Sequence, residues 1–88
     1  MYSDLYVVTQ YDGKDYMSVE SIYTYDDDGE EQECSDATAA CVEITTCADQ
    51  GTDLWKWLRR QVEQHLRAAG ISYENLYFED ERGNDIRD

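Results

Sequence analysis

Seven carboxylates, Asp26, Asp27, Asp28, Glu30, Glu31, Glu33 and Asp36, fall within eleven consecutive positions with no lysine or arginine among them. Acids at this density can hold a calcium ion, or they can meet the cationic side chains of a partner. A helix-loop-helix calcium loop needs glycine at its sixth position, Asp at its first and a bidentate Glu at its last. Setting Gly29 at the sixth position places Asp26 and Asp28 among the ligands, but Thr24 then stands first and Ser35 last. The two most diagnostic ligands are missing, and the flanking SIYTY reads as strand rather than helix.

Little else in the chain offers chemistry. His65 is the single histidine, and it falls on the apolar side of a helical segment, where a structurally satisfied ring belongs. Cys34, Cys41 and Cys47 are an odd number separated by seven and six positions, which fits neither a disulfide framework nor the close pairs of a zinc site. They read as reduced packing thiols. No glycine-rich phosphate loop or metalloprotease motif occurs. The expectation is a non-enzymatic protein with no cofactor and no metal.

Binding fits the acidic block better. Along a strand, side chains two apart share a face at about 6.8 Å, while duplex DNA carries one phosphate per about 3.4 Å on each strand. Two facing acidic strands therefore approach the charge density of nucleic acid. With residues 25–34 as a hairpin tip, Asp26, Asp28, Glu31 and Glu33 present a row of anions, and Tyr23 and Tyr25 add flat apolar surface beside it. Arginines that grip phosphates find equivalent bidentate acceptors there.

The elements that must position these residues follow from local pattern. DLYVVTQ (residues 4–10) and DYMSVESIYTY (residues 15–25) flank an Asp-Gly turn, which predicts a hairpin. DDDGEE marks a second turn with Gly29 at positive φ, and residues 30–34 fold back as a short third strand. From Asp36 the pattern is ambiguous. Ala37, Ala40, Cys41, Ile44, Cys47 and Ala48 form a helical stripe capped by Ser35 or Asp36, although CVEITT alone alternates like a strand. A helix is the favoured reading over residues 37–48.

Gly51 breaks the chain, Thr52 or Asp53 caps a second, longer helix, and Leu54, Trp55, Leu58, Val62, Leu66 and Ala69 line one side of it until Gly70. Lys56, Arg60 and Arg67 lie opposite that stripe. Trp57 lies off it, either as a contact anchor or packed beneath a strand. ISYENLYFED (residues 71–80) reads as a last strand with Leu76 and Phe78 on one face and Tyr77 on the other. These elements predict an α+β fold: a small antiparallel sheet of three to four strands packed against one long helix in the C-terminal half, with a second short helix. Residues 1–80 form a single acidic domain, and residues 81–88 a frayed, flexible tail.

With 88 residues, the chain has room for one modest core and little for a deep catalytic cleft. Seven basic residues against 21 acids give a net charge of −14, which disfavours direct contact with nucleic acid or an anionic membrane and points to a basic partner. The first residues lack the basic start and apolar run of a secretory signal, and no stretch is long enough for a membrane span, so a cytoplasmic location is expected. A monomer or weak dimer is the expected state.

In size, charge and the block DDDGEEQE, the chain resembles small acidic phage-encoded inhibitors, the anti-CRISPR and anti-restriction proteins, several of which act as DNA mimics. The resemblance implies an inhibitor that occupies the nucleic-acid-binding site of a host defence complex, acting in the host-cell cytoplasm. On this reading Asp26, Asp27, Asp28, Glu30, Glu31, Glu33 and Asp36 carry partner binding, with Tyr23 and Tyr25 in support. An immunity protein or antitoxin that neutralises a basic nuclease uses the same physics. The remaining alternatives are a solvated loop that maintains solubility and adaptation to high salt.

Overall fold

Hydrophobic alternation in the first strand sets the architecture. In β1 (Tyr2–Tyr11), Leu5, Val7 and Thr9 are buried, while Tyr6 and Val8, on the opposite face, stay partly open. A computed structural model, which describes residues 2–11, 16–47 and 54–86, places β1 in the middle of one mixed sheet. β2 (Tyr16–Tyr25) runs antiparallel to β1 on one side, and β5 (Tyr73–Glu79) runs parallel to it on the other. Two short strands share the outer edge of β2: β3 (Glu31–Glu33) pairs with residues 23–25, and β4 (Thr45–Cys47) with residues 16–18. β6 (Asp85–Ile86) pairs antiparallel with β5.

Strict alternation cannot put Met17, Val19 and Ile22 on one face, yet all three are buried. The β1–β2 register shifts between Val8 and Thr9, which pair with Ser21 and Val19. Glu20 is therefore the extra residue of a bulge, and the parity of β2 changes there. One consequence is that Tyr23 and Tyr25 join Tyr6 on the outer face.

One helix covers the inner face over most of its length. In α2 (Leu54–Ala68), Leu58, Val62 and Leu66 recur every four residues, are fully buried, and join Leu5, Val7, Ile22, Leu76 and Phe78 in one core. Each such side chain contributes about 1.5–3 kcal/mol by leaving water. Gly70, at φ 75°, ends the helix, and the Ile71 N–H donates to the Leu66 carbonyl at 3.0 Å. A shorter helix, α1 (Ser35–Cys41), adds Ala37 and Cys41 to the same core.

The α+β class, the long C-terminal-half helix and the short second helix stand as expected, while several details differ. The sheet is mixed, because the chain crosses from the edge of β2 through α2 and re-enters beside β1 in parallel. Residues 37–48 are not one helix. The helix stops at Cys41, a turn follows, and Thr45–Cys47 become strand because the edge of β2 at residues 16–18 accepts them. Neither Ser35 nor Asp36 is the N-cap. Cys34 holds that position without a side-chain cap, since its N–H already donates to the Ile22 carbonyl at 2.9 Å and fixes where the sheet ends.

Within the segment expected to fray, residues 81–86 form a turn and the strand β6. The Asp80 carboxylate accepts the N–H groups of Arg82 and Asn84 at 2.8 and 2.9 Å, Gly83 adopts φ 84°, and the chain turns back onto β5. The Asp12–Gly13 turn, Gly51 and the Thr52 or Asp53 cap lie outside the described residues.

Candidate functional site

The acidic block begins with a residue that serves its own turn. Asp26 Oδ1 accepts the N–H groups of Asp28 and Glu30, both at 2.9 Å, and Oδ2 accepts the Gln32 amide at 3.2 Å. Its backbone N–H donates to the Glu30 carbonyl, and Gly29, at φ 81°, donates to the Asp26 carbonyl. Hydrogen bonds from the Glu30 and Asp28 backbone hold its carboxyl below the usual range. Asp26 thus positions the other acids and is itself already engaged. Residues 80–84 repeat the arrangement, with Asp80 and Gly83 in the roles of Asp26 and Gly29.

Asp27, Asp28 and Glu30 are exposed in this turn. Glu31 and Glu33 follow on β3, opposite Tyr25 and Tyr23. Residues paired across strands share a face, so both glutamates stand on the same side of the sheet as the two tyrosines. Asp36 lies on α1 instead, where it accepts the Tyr2 hydroxyl at 3.2 Å and the Ala37 N–H at 2.8 Å. The Tyr2 phenol, half-buried and beside Asp36, is pushed up to about 12 by loss of solvent and by that carboxylate.

The sheet face that the helices leave open carries a tyrosine cluster. Tyr6 pairs with Tyr23 on one side and Tyr77 on the other, and its ring stacks against both, with centroids at 5.1 and 5.2 Å and interplanar angles of 11° and 22°. Tyr25 meets Tyr6 and Tyr23 edge-on at 5.3 and 5.6 Å. Burial raises the phenols of Tyr6 and Tyr23, and Tyr23 is raised further by its 2.5 Å hydrogen bond to Glu79 Oε1. Asp4, held by the Asn75 amide at 2.9 Å, lies two residues from Tyr6, and Glu79, two from Tyr77, pairs with Asp85.

Tyr23, Tyr25, Glu31 and Glu33 belong to one local hairpin, whereas Tyr6, Tyr77, Asp4 and Glu79 join the site only through the pairing of β1 with its neighbours. One signal was present. DLYVV (residues 4–8) and NLYFE (residues 75–79) share a pattern, and the parallel register sets them side by side: Asp4 with Asn75, Leu5 with Leu76, Tyr6 with Tyr77.

Two arginines of α2 are engaged on that helix and against β5. Arg59 pairs with Glu63 at 3.8 Å and sits over the Phe78 ring at 5.5 Å, and Arg60 lies over Trp57 at 5.2 Å. Trp57 is half-buried under that arginine. Among the described residues, no lysine or arginine pairs with the acids of the hairpin or of the tyrosine face.

Catalytic features are weak. Cys34 and Cys41 are free and buried, and burial pushes the Cys41 thiol up to about 11, away from a reactive thiolate. The side chain of Cys47 lies outside the described residues. His65 is exposed, with Nδ1 3.1 Å from the Ala40 carbonyl, so that Nδ1–H ties α2 to α1. Among the described residues, no three His, Cys, Asp or Glu side chains are grouped to hold a metal ion. No family model, curated protein or solved structure matches this chain.

Proposed function

We propose that this chain is a non-enzymatic inhibitor whose anionic surface occupies the nucleic-acid-binding site of another protein, a host defence complex of the CRISPR or restriction type. The observation that carries the reading is the β2–β3 hairpin. Asp26 fixes its turn, β3 spaces Glu31 and Glu33 along one face, and Asp27, Asp28 and Glu30 extend the charge into solvent with no cation paired to them among the described residues. Guanidinium and ammonium groups that bind successive phosphates meet carboxylates at comparable intervals, and the bulk of the domain then blocks the groove. No helix among the described residues is long and apolar enough to cross a membrane.

The test is phage challenge of bacterial strains that carry defined CRISPR or restriction systems, with and without this chain expressed. Plaques are restored on at least one system, and the purified complex loses DNA binding when the chain is added. Charge reversal at Asp28→Lys, Glu31→Lys and Glu33→Lys, which spares the turn-forming Asp26, abolishes both effects while circular dichroism stays unchanged. Full inhibition by that folded variant overturns the reading.

A further inference from the structure

We propose that the open tyrosine face is a docking surface for arginine side chains of a partner protein, selecting guanidinium groups over positive charge in general. The inference deepens the inhibitor reading only in its choice of a basic partner, and its basis is the geometry of the face itself.

Tyr6 is stacked between Tyr23 and Tyr77, and Tyr23 stacks on Tyr6 and meets Tyr25 edge-on, so the more open rings of the cluster are Tyr25, 48% exposed, and Tyr77, 42% exposed. These two end the cluster, and a flat group can extend it at either position. Carboxylates border the rings: Glu31 is opposite Tyr25, Glu33 opposite Tyr23, and Glu79 two residues beyond Tyr77.

Neutral donors hold two of the acids on this face. The Tyr23 hydroxyl fixes Glu79 through Oε1, and the Asn75 amide fixes Asp4 through Oδ1. A neutral donor orients a carboxylate without cancelling its charge. The second oxygen of each has no hydrogen-bond partner among the described residues, and none of these acids is paired with a described cation.

Charge complementarity selects the occupant. Stacking alone would suit a nucleobase, but Asp4, Glu31, Glu33, Glu79 and Asp85 repel its phosphates. A lysine satisfies the charge yet offers no flat group to stack. Arginine provides both, a planar cation to lie on a tyrosine ring and N–H groups in the same plane to reach the neighbouring carboxylate.

Two synthetic peptides of equal length and charge, one built on arginine and one on lysine, test this by calorimetry. The arginine peptide binds about tenfold more tightly. The Tyr25→Ala, Tyr77→Ala double variant brings the two affinities within about twofold of one another, whereas Asp27→Lys, Asp28→Lys in the turn weakens both peptides alike. Ring resonances of Tyr25 and Tyr77 in the unmodified chain shift with the arginine peptide, a readout independent of how the variant folds.

Equal affinity for the two peptides, or unmoved tyrosine resonances, overturns the proposal. Ring shifts that follow protein concentration without peptide put a second copy on the face and also overturn it, as do shifts caused by single-stranded DNA. Arginine preference in a chain that inhibits no defence complex leaves this surface standing and removes the inhibitor reading. Inhibition that survives the loss of both rings does the reverse.

Discussion

Asp26 shows that membership of an acidic block does not make a residue available to a partner. Both of its oxygens are engaged within the turn, so Asp26→Ala lowers the melting temperature and weakens binding through disorder of Glu31 and Glu33. Asp26→Asn keeps an oxygen acceptor and is milder, and Asp27→Ala leaves the melting temperature unchanged, as a thermal scan checks. Asp26 and Asp80 both titrate below the ordinary value of 3.8 because backbone N–H groups bind the charged form. Their stabilisation is present above that value and is lost as pH falls through the lower folded values. At the alkaline end the sign reverses. Tyr2, Tyr6 and Tyr23 are raised from 10.0, chiefly by burial, so the fold keeps their stabilisation below 10.0 and loses it as pH rises through the raised values. Ultraviolet absorbance of tyrosinate followed with circular dichroism tests this, and full ionisation of all eight tyrosines at their ordinary value with the fold intact contradicts it.

At the level of elements, the split edge of β2 shows how α1 is seated. β3 and β4 leave a gap at Ile22, and Thr38 fills it: its Oγ1 accepts the Ile22 N–H at 3.0 Å and donates to the Ile22 carbonyl at 3.2 Å. Thr38→Val keeps the shape but leaves the strand's amide unpaired, at a cost of about 1–3 kcal/mol in urea unfolding, while Thr38→Ser recovers most of it. This contact also explains what the sequence could not show. Strands and helices whose signal is their own periodicity, β1, β2, β5 and α2, were legible, as was the glycine turn that returns β3 to β2. The break between α1 and β4 was not, because Ala37 to Ala48 satisfy a helical stripe locally and only the vacant edge of β2 converts Thr45–Cys47 to strand. The ordered β6 was hidden likewise, since Asp80 and Gly83 mark a turn only beside a β5 edge ready to pair. Half of the tyrosine cluster shared that fate: Tyr23 and Tyr25 belong to a hairpin, but Tyr6 and Tyr77 meet across a parallel pairing of residues 71 apart in the chain.

Across the whole molecule, acid far outweighs base. Arg59 of α2 is engaged with Glu63 and Phe78 and Arg60 with Trp57, while the acids of the open sheet face make no ion pair with a described cation. The excess has a cost, because a net charge of −14 on a small domain repels itself. Salt therefore acts with opposite signs on the two properties. Raising it from about 0.05 to 0.2 M shortens the screening length to below about 10 Å, so the melting temperature rises while affinity for a basic partner falls by orders of magnitude. The low-salt limit separates partner binding from salt adaptation. A chain whose acids serve a partner stays folded there, on a core with fully buried Leu5, Val7, Leu58, Val62 and Leu66, and binds most tightly. Thermal scans over a salt series, paired with calorimetry against the arginine peptide, measure both slopes. Unfolding at low salt, with no gain in affinity before it occurs, would assign the carboxylates to the chain's own solvation instead of to a binding partner.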